Sequence, residues 1–252
     1  MSEITPGLWE ILLDGVWITL QLTVLSAALA AAVAFVTGLA RLNRLRIVRF
    51  AAGVYFEVFR GTSALILMFW LFFVLPLGLG WQLEPMWAAV LALGLSYGAY
   101  GSEVVRGAVA AVPPGQHEAG IALNLRPGQR LWRIVLPQAW PEMIPPFNNL
   151  LIELLKGTAL VSVMGVSDLA FGAALVRNAT GQSAPVYTVI LLVYFVIAFA
   201  MTRGMRVLER RARAGAGEGP PPRRALSPRR LLPPRRRAAT AATTASTGGE
   251  RR

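Results

Sequence analysis

The sequence contains no cysteine, one histidine (His117) and one lysine (Lys156) among 252 residues. Without cysteine the chain forms neither a disulfide framework nor a thiolate metal site, and one histidine leaves too few ligands for an imidazole-based metal centre. The motif G-x-x-x-x-G-K-[ST] does not occur, so the chain lacks that phosphate-cradling loop and is not expected to hydrolyse a nucleotide by itself. We therefore predict no catalytic residue, no metal and no bound cofactor for this chain.

Apolar residues dominate the composition. They make up 55% of the chain, and the mean hydropathy of +0.52 is typical of an integral membrane protein. The net charge of +12 is concentrated at one end, because the residues from Arg210 onward hold 12 arginines against Glu218 and Glu250, a balance of +10. The rest of the chain carries only +2, so the high pI does not indicate a nucleic-acid partner.

Long uncharged runs predict an all-α, polytopic membrane protein with about five transmembrane helices. The predicted spans are about 15–40, 52–76, 86–109, 142–163 and 184–207. Residues 1–14 are acidic and lack the positive region of a signal peptide, which predicts an uncleaved external segment. Residues 214–252 are rich in Arg, Pro and Ala without periodicity and predict a disordered basic tail. The tail either meets anionic lipid head groups or is a dispensable extension.

The distribution of arginines predicts the orientation, since five spans put the termini on opposite sides. With the N-terminus outside, the inner segments hold the arginine cluster at 41–49, the arginines of 116–141 and those after the last span. The outer segments hold acidic residues and a single arginine, Arg177. This positive-inside pattern predicts a multi-pass protein with an external N-terminus and a cytoplasmic C-terminus.

Residues 116–141 form a polar, arginine-bearing segment between apolar runs, and the predicted topology makes it cytoplasmic. Within it, Ala119, Ala122 and Leu123 recur at helical spacing opposite a polar side, with prolines before and after. A short exposed helix with an apolar stripe is suited to docking in a groove of another protein. The plainer interpretation of the pattern alone is a solvated loop helix.

Polar side chains inside the predicted spans are candidates for a solute pathway. They are Tyr97, Tyr100, Glu103, Glu153, Lys156 and Thr158. Charges at membrane depth are costly and usually mark a pathway or a pair. The structural alternative is that Glu153 with Lys156, and Glu103 with Arg106, neutralise each other at i, i+3 spacing on one helical face.

Five short motifs follow one another between residues 59 and 211, within a stretch of about 8–212 that the resemblance described below covers. They are Phe59-Arg60-Gly61-Thr62-Ser63; Ala99-Tyr100-Gly101-Ser102-Glu103-x-x-Arg106-Gly107; Glu118-Ala119-Gly120 with Asn124 and Ile134-x-Leu136-Pro137; Lys156-Gly157-Thr158-Ala159-Leu160; and Leu208-Glu209-Arg210-Arg211. In this order they resemble signatures of permease subunits of binding-protein-dependent ABC importers of the polar amino-acid group, and the third resembles the EAA motif. Asn124 stands where that motif usually has glycine, and asparagine tolerates the left-handed backbone better than most residues.

The resemblance implies that 15–213 is a transmembrane permease domain of the ABC importer fold, with a cytoplasmic coupling helix in the loop 113–141. The residues it assigns to contact with the ATPase are Glu118, Ala119, Gly120, Leu123, Asn124, Leu136 and Pro137. It implies a dimer of ATP-binding subunits carrying ATP and Mg, a second permease (copy or paralogue), an extracellular solute-binding protein and surrounding lipid. It also implies the inner membrane of a bacterium.

A narrower resemblance concerns the solute. Gly61-Thr62-Ser63-Ala64 followed by Phe69-Trp70-Leu71-Phe72-Phe73 most resembles permeases for ectoine and hydroxyectoine. The expected function is therefore to form half of a path for a small polar or zwitterionic solute, ectoine or an amino acid. A channel or secondary carrier acting without an ATPase is the alternative, although the sequence shows no inverted repeat of the kind that lets a single chain build a transporter.

Overall fold

The structure is a computed structural model that describes residues 6–215. Every regular element in this range is a helix, which confirms the predicted all-α class. Four helices are long and apolar enough to cross a membrane: Trp9–Ala40, Pro85–Ala111, Pro127–Met164 and Ser183–Ala214. A bent pair of helices adds a fifth candidate crossing. The predicted basic tail lies outside the described residues from 216 onward.

The helices in chain order are α1 (Pro6–Ala40), α2 (Arg46–Gly61), α3 (Ala64–Phe69), α4 (Leu75–Leu79), α5 (Pro85–Ala111), α6 (Pro114–Ala122), α7 (Pro127–Arg130), α8 (Leu136–Gly157), α9 (Leu169–Thr180) and α10 (Ser183–Gly215). Single π-helical turns join α3 to α4 over Trp70–Val74 and α7 to α8 over Leu131–Val135. A 3₁₀ segment, Thr158–Met164, follows α8. Since α1 begins at Pro6, helix occupies most of the predicted external segment 1–14.

Helix α5 is the centre of the fold, and α1 packs along it. Small residues let the two backbones come close: a Cβ atom added to Gly98 would lie 2.8 Å from the Val33 side chain, and one added to Gly101 would lie 2.7 Å from Ala34. Close approach through small residues is the usual way in which membrane helices gain packing energy, because lipid removes the hydrophobic drive for association. The result is a helix that is buried on all but one stripe.

The second span was predicted as one helix over 52–76, and the structure corrects this. The helix ends at Gly61 and restarts at Ala64, and the two axes are bent by 101°. Thr62 and Ser63 have extended backbone angles, and the Thr62 hydroxyl donates to the Val58 carbonyl at 2.8 Å. The first helix thus ends at Gly61, followed by two hydroxyl residues in extended conformation, of which Thr62 bonds back to the backbone. Hydropathy alone does not show this break.

The fourth span is also longer than predicted. Instead of beginning near 142, helix starts with Pro127 and runs through the π-helical turn and α8 to Met164. Proline is well suited to a first helical turn because its missing N–H would have no partner there. Pro127 therefore begins a helix, and this long helix joins the polar segment 116–141 to α8.

Candidate coupling helix and translocation face

Helix α6 (Pro114–Ala122) is the exposed helix that the sequence predicts within 116–141. Of its residues, only Gly120 is buried. Glu118, Ala119 and Ala122 are exposed. The side chain of Leu123, which follows the helix, is 70% exposed. The apolar stripe therefore has no partner within the part of the chain that the structure describes.

Gly120 is the point at which α6 rests on the long helix. A Cβ atom there would lie 2.8 Å from Cδ of Arg130 and 3.1 Å from Cδ1 of Ile134. On the same side, Nε2 of Gln138 donates to Oε1 of Gln116 at 3.2 Å. The glycine thus allows α6 to lie directly against the beginning of the long helix that continues into the membrane.

Asn124 forms the turn after α6 in the left-handed conformation, with φ of 55°. The N–H of Leu125 donates to the Gly120 carbonyl at 3.0 Å, and the N–H of Asn124 donates to the Ile121 carbonyl at 2.8 Å. These two bonds make a complete Schellman motif, in which glycine is the commonest left-handed residue and asparagine the next. The turn that the glycine of the EAA motif would favour is therefore kept in this chain.

The remaining EAA-type residues support the helix instead of forming its surface. Leu136 is buried in a cluster with Val105, Val109 and Met143, and Pro137 lies exposed in the first turn of α8. The motif therefore divides into an outward surface (Glu118, Ala119, Leu123) and an inward support (Gly120, Leu136). Sequence comparison alone does not separate these two roles.

The open stripe of α5 carries Tyr97 and Tyr100, which lie near the middle of the helix Pro85–Ala111. Their ring centroids are 6.3 Å apart. The Tyr97 hydroxyl donates to the Glu153 carbonyl at 3.0 Å, and the Tyr100 hydroxyl donates to the Arg60 carbonyl at 3.3 Å. The two tyrosines therefore connect the centre of α5 to α8 on one side and to α2 on the other.

Glu103 continues this stripe by one turn and is held by two arginines. Its Oε2 accepts from Nη1 of Arg41 at 2.7 Å and from Nε of Arg106 at 3.0 Å, and its Oε1 accepts from Nη2 of Arg106. The expected pairing of Glu103 with Arg106 is present. The contact between Glu103 and Arg41 was not predicted. Arg41 directly follows the first predicted span and is 62 positions from Glu103, so no local sequence pattern indicates that the two residues meet.

The other polar candidates lie in different surroundings. Glu153 and Lys156 are both exposed on α8. At i, i+3 spacing they form no ion pair within residues 6–215. Thr158 is fully buried and its hydroxyl donates to the Leu155 carbonyl at 2.7 Å. Five of the six predicted pathway residues are therefore exposed or half-buried, and Thr158 lies in the interior.

A cavity of about 240 Å³ lies between α1, α8 and α10, and Tyr97 of α5 contributes to its lining. Its wall is almost entirely apolar and includes Ala31, Phe35, Met143, Phe147 and Met205. A polar solute would lose its hydration there without gaining hydrogen bonds. The tyrosine-bearing stripe of α5 is the better surface for such a solute. Among the described residues, no three His, Cys, Asp or Glu side chains gather as a metal site would require.

Comparison with known proteins identifies the class to which this architecture belongs. Residues 28–214 match the family described as the binding-protein-dependent transport system inner membrane component. The chain belongs to this family of ABC importer permeases.

Individual relatives point to the amino-acid branch of the family. The chain is 47% identical over 200 residues to the probable amino-acid ABC transporter permease protein y4tF of Sinorhizobium fredii, covering 77% of this chain and 84% of that protein. It is 35% identical to the L-cystine transport system permease protein TcyB of Bacillus subtilis (82% and 89% covered). It is 30% identical to the glutamine transport system permease protein GlnP of Escherichia coli (84% and 97% covered).

Solved structures agree with this placement. A crystal structure of an amino acid ABC transporter with histidines superposes with a TM-score of 0.74 at 29% identity, covering 80% of this chain and 94% of that one. The MetNI methionine ABC transporter in an inward-facing conformation has the same fold at 20% identity, with a TM-score of 0.71 over 83% and 99% of the two chains.

The chain is therefore the permease subunit of an amino-acid ABC importer, a multi-pass protein of the inner membrane. It is a transport component and not an enzyme, since its relatives are permease subunits and the ATPase of such importers is a separate subunit. The family works with an ATPase and a solute-binding protein.

Proposed function

We propose that this permease couples the uptake of a small polar or zwitterionic solute, an amino acid or ectoine, to ATP hydrolysis on a partner dimer that docks on α6. The observation that carries the proposal is the packing of α6. Its outward surface is exposed, and Gly120 contacts Arg130 and Ile134 of the long helix Pro127–Met164. A displacement of α6 by the ATPase would thus be passed to a helix that reaches the membrane core.

The chemistry of the α6 surface suits docking. Leu123 is an exposed apolar anchor, and Ala119 lets a partner backbone approach closely. Glu118 is an exposed carboxylate one turn before the end of the helix and would pair with a basic group at the rim of the partner's groove. ATP and Mg are bound by the partner in this proposal, and Asn124 holds the turn that ends the surface.

We propose that the translocation path runs along the open stripe of α5. A polar stripe on the most buried helix is poorly matched to lipid, because charged groups are costly at membrane depth and usually line a pathway or a protein-covered surface. A second permease subunit, a copy or a paralogue, would cover the stripe and complete the path. In this proposal the N-terminus lies outside, where the solute-binding protein delivers the solute, and α6 lies in the cytoplasm, as the distribution of arginines favours.

Relatives named for L-cystine and glutamine transport favour an amino-acid solute, whereas the segment 61–73 favours ectoine by resemblance. The deciding experiment is uptake by the purified complex in proteoliposomes, with ectoine, hydroxyectoine and the common amino acids offered under identical conditions. Uptake of one or a few of these solutes, driven by ATP and by the binding protein, supports the proposal. Solute movement that needs neither ATP nor binding protein would favour a channel or carrier instead.

A further inference from the structure

Arg60 lies on the face occupied by the two tyrosines, and in the sequence it belongs to the motif Phe59-Arg60-Gly61-Thr62-Ser63. Its carbonyl accepts the hydrogen bond from Tyr100. Its guanidinium carbon is 5.5 Å from the centre of the Phe56 ring, and the residue is exposed. Glu57 and Arg60 form no ion pair in the described part of the chain, so the Arg60 charge is available to another group.

The surroundings of Arg60 carry an excess of positive charge. Arg41 lies 4.0 Å from the centre of the same Phe56 ring, and it binds Glu103, which also holds Arg106. Three guanidinium groups (Arg41, Arg60 and Arg106) therefore lie near two carboxylates, Glu103 and the exposed Glu57 one turn before Arg60, which leaves a local balance of +1. The end of the stripe nearest Arg60 would attract an anionic group.

The other end of the stripe carries a carboxylate. Glu153 is exposed, and its backbone carbonyl receives the hydrogen bond from Tyr97. Its side chain forms no ion pair within residues 6–215. The tyrosine pair near the middle of the α5 span is thus bordered by Arg60 on α2 and by Glu153 on α8.

We propose that Arg60 and Glu153 bind the two charged ends of a zwitterionic solute, with the carboxylate on Arg60 and the cationic amino or amidinium group on Glu153. Tyr97 and Tyr100 form the wall between them. The inference rests on the proposed function, since it assigns the solute contacts of that same path.

Arg60 is a better carboxylate ligand than Lys156, the basic residue that sequence spacing favours. A guanidinium offers a planar fork of donors that matches a carboxylate in a bidentate pair. The hydrogen bond from Tyr100 also fixes the backbone of Arg60 against the stripe. Lys156 lies at i, i+3 from Glu153 and therefore on the same helical face, and it also forms no ion pair among residues 6–215. The choice between the two basic residues rests on the geometry of the guanidinium group.

The test is direct solute binding to the assembled permease–ATPase complex in nanodiscs, measured by calorimetry without the binding protein. The probes are L-glutamine, L-arginine, L-cystine and ectoine, each compared with its carboxamide, which lacks the negative charge. The variants are Arg60→Met, Arg60→Lys and Glu153→Gln, and the matched control is Arg49→Met, an exposed arginine on the same helix. ATP hydrolysis by each variant complex in the presence of the binding protein reports on its assembly.

The wild-type complex is expected to prefer the acid over the carboxamide of the solute it transports. Arg60→Met should weaken binding of the acid about tenfold or more and abolish this preference, with Arg60→Lys intermediate. Glu153→Gln should weaken both forms alike, and Arg49→Met should match the wild type.

Three results would contradict the assignment of Arg60 and Glu153 as solute contacts. They are no binding by the wild-type complex, equal binding of acid and carboxamide by that complex, and an unchanged preference for the acid in an assembled Arg60→Met complex. These outcomes are separable from failure of the proposed function, which ATP-driven uptake reports independently. If the wild-type complex takes up solute with ATP but the Arg60→Met complex keeps its preference for the acid over the carboxamide, only the assignment of the solute contacts is contradicted.

Discussion

The hydroxyl of Thr19 accepts a hydrogen bond from the backbone N–H of Leu169 at 3.1 Å, which ties the middle of α1 to the first turn of α9. Asp168 caps the same turn: its Oδ1 accepts from the N–H of Phe171 at 2.9 Å. The Asp168 side chain is fully buried, and its Oδ2 has no hydrogen-bond partner. Burial raises the pKa of this carboxyl, which lies between two spans, to about 6, while backbone N–H groups oppose the rise.

The first prediction concerns Asp168 and pH. Its pKa is about 6 in the folded protein against 3.8 when free, so the folded state disfavours the charged form, and stability falls as pH rises from about 3.8 to 6. The full cost above that window is about 3 kcal/mol. Asp168→Asn keeps the capping oxygen and removes the titration, so the purified variant should melt at a higher temperature than the wild type at pH 7.5, with a smaller difference at pH 5.

Asp168→Ala serves as the control, because it removes the cap as well as the charge. It should be less stable than Asp168→Asn at both pH values, since a lost N-cap costs about 1 kcal/mol. A wild type that is more stable at pH 7.5 than at pH 5, with Asp168→Asn unchanged, would show that the carboxyl is not destabilised by burial.

The second prediction concerns the turn at Asn124. A β-branched residue resists the left-handed conformation that this position adopts, so Asn124→Val should cost about 1–2 kcal/mol locally and loosen the end of α6. Asn124→Gly should retain full assembly with the ATPase. For both variants, assembly is measured by pull-down of the ATPase, and coupling is measured by its rate of ATP hydrolysis. Normal assembly and a normal rate in Asn124→Val would show that the turn is not needed for docking.

The third prediction concerns docking through α6. Glu118→Lys reverses an exposed charge and should repel the basic rim proposed for the partner's groove. The variant is expected to assemble poorly with the ATPase or to lose ATP-driven uptake. Glu142→Lys, a charge reversal at an exposed site on α8, is the control. Normal coupled transport by Glu118→Lys would remove this residue from the interface.

The fourth prediction separates Lys156 from the solute contacts. Lys156→Met removes an exposed charge that forms no ion pair with Glu153 among the described residues. If Arg60 binds the solute carboxylate, the apparent affinity for uptake by Lys156→Met should stay within about twofold of the wild type. A large loss of affinity would return Lys156 to the pathway and weaken the assignment of Arg60.

Much of the architecture was accessible from the sequence. Uncharged runs revealed the spans because a helix must fill the hydrocarbon with apolar side chains. The prediction for Asn124 relied on its known tolerance of positive φ, and the structure confirms that conformation. The break after Gly61 was missed because the run without charged residues continues across Thr62 and Ser63.

The contacts that the sequence did not reveal are those between distant segments. Arg41 and Glu103 are 62 positions apart, and nothing in their local patterns indicates that α1 and α5 bring them together. Asp168 lies in one of the segments predicted to be on the outer side, and the sequence does not indicate that this carboxyl is fully buried at the start of α9. Its burial depends on how α1 and α9 pack, and one sequence does not reveal that packing.

The most direct test of the central claim is accumulation of labelled solute in proteoliposomes that contain the permease and its ATPase. Uptake is compared with and without ATP, and with and without the binding protein. The account predicts accumulation against a gradient only when both are present, and its loss in Glu118→Lys but not in Glu142→Lys. Solute flux that is equal without ATP would contradict it and show that the chain moves solute without an ATPase.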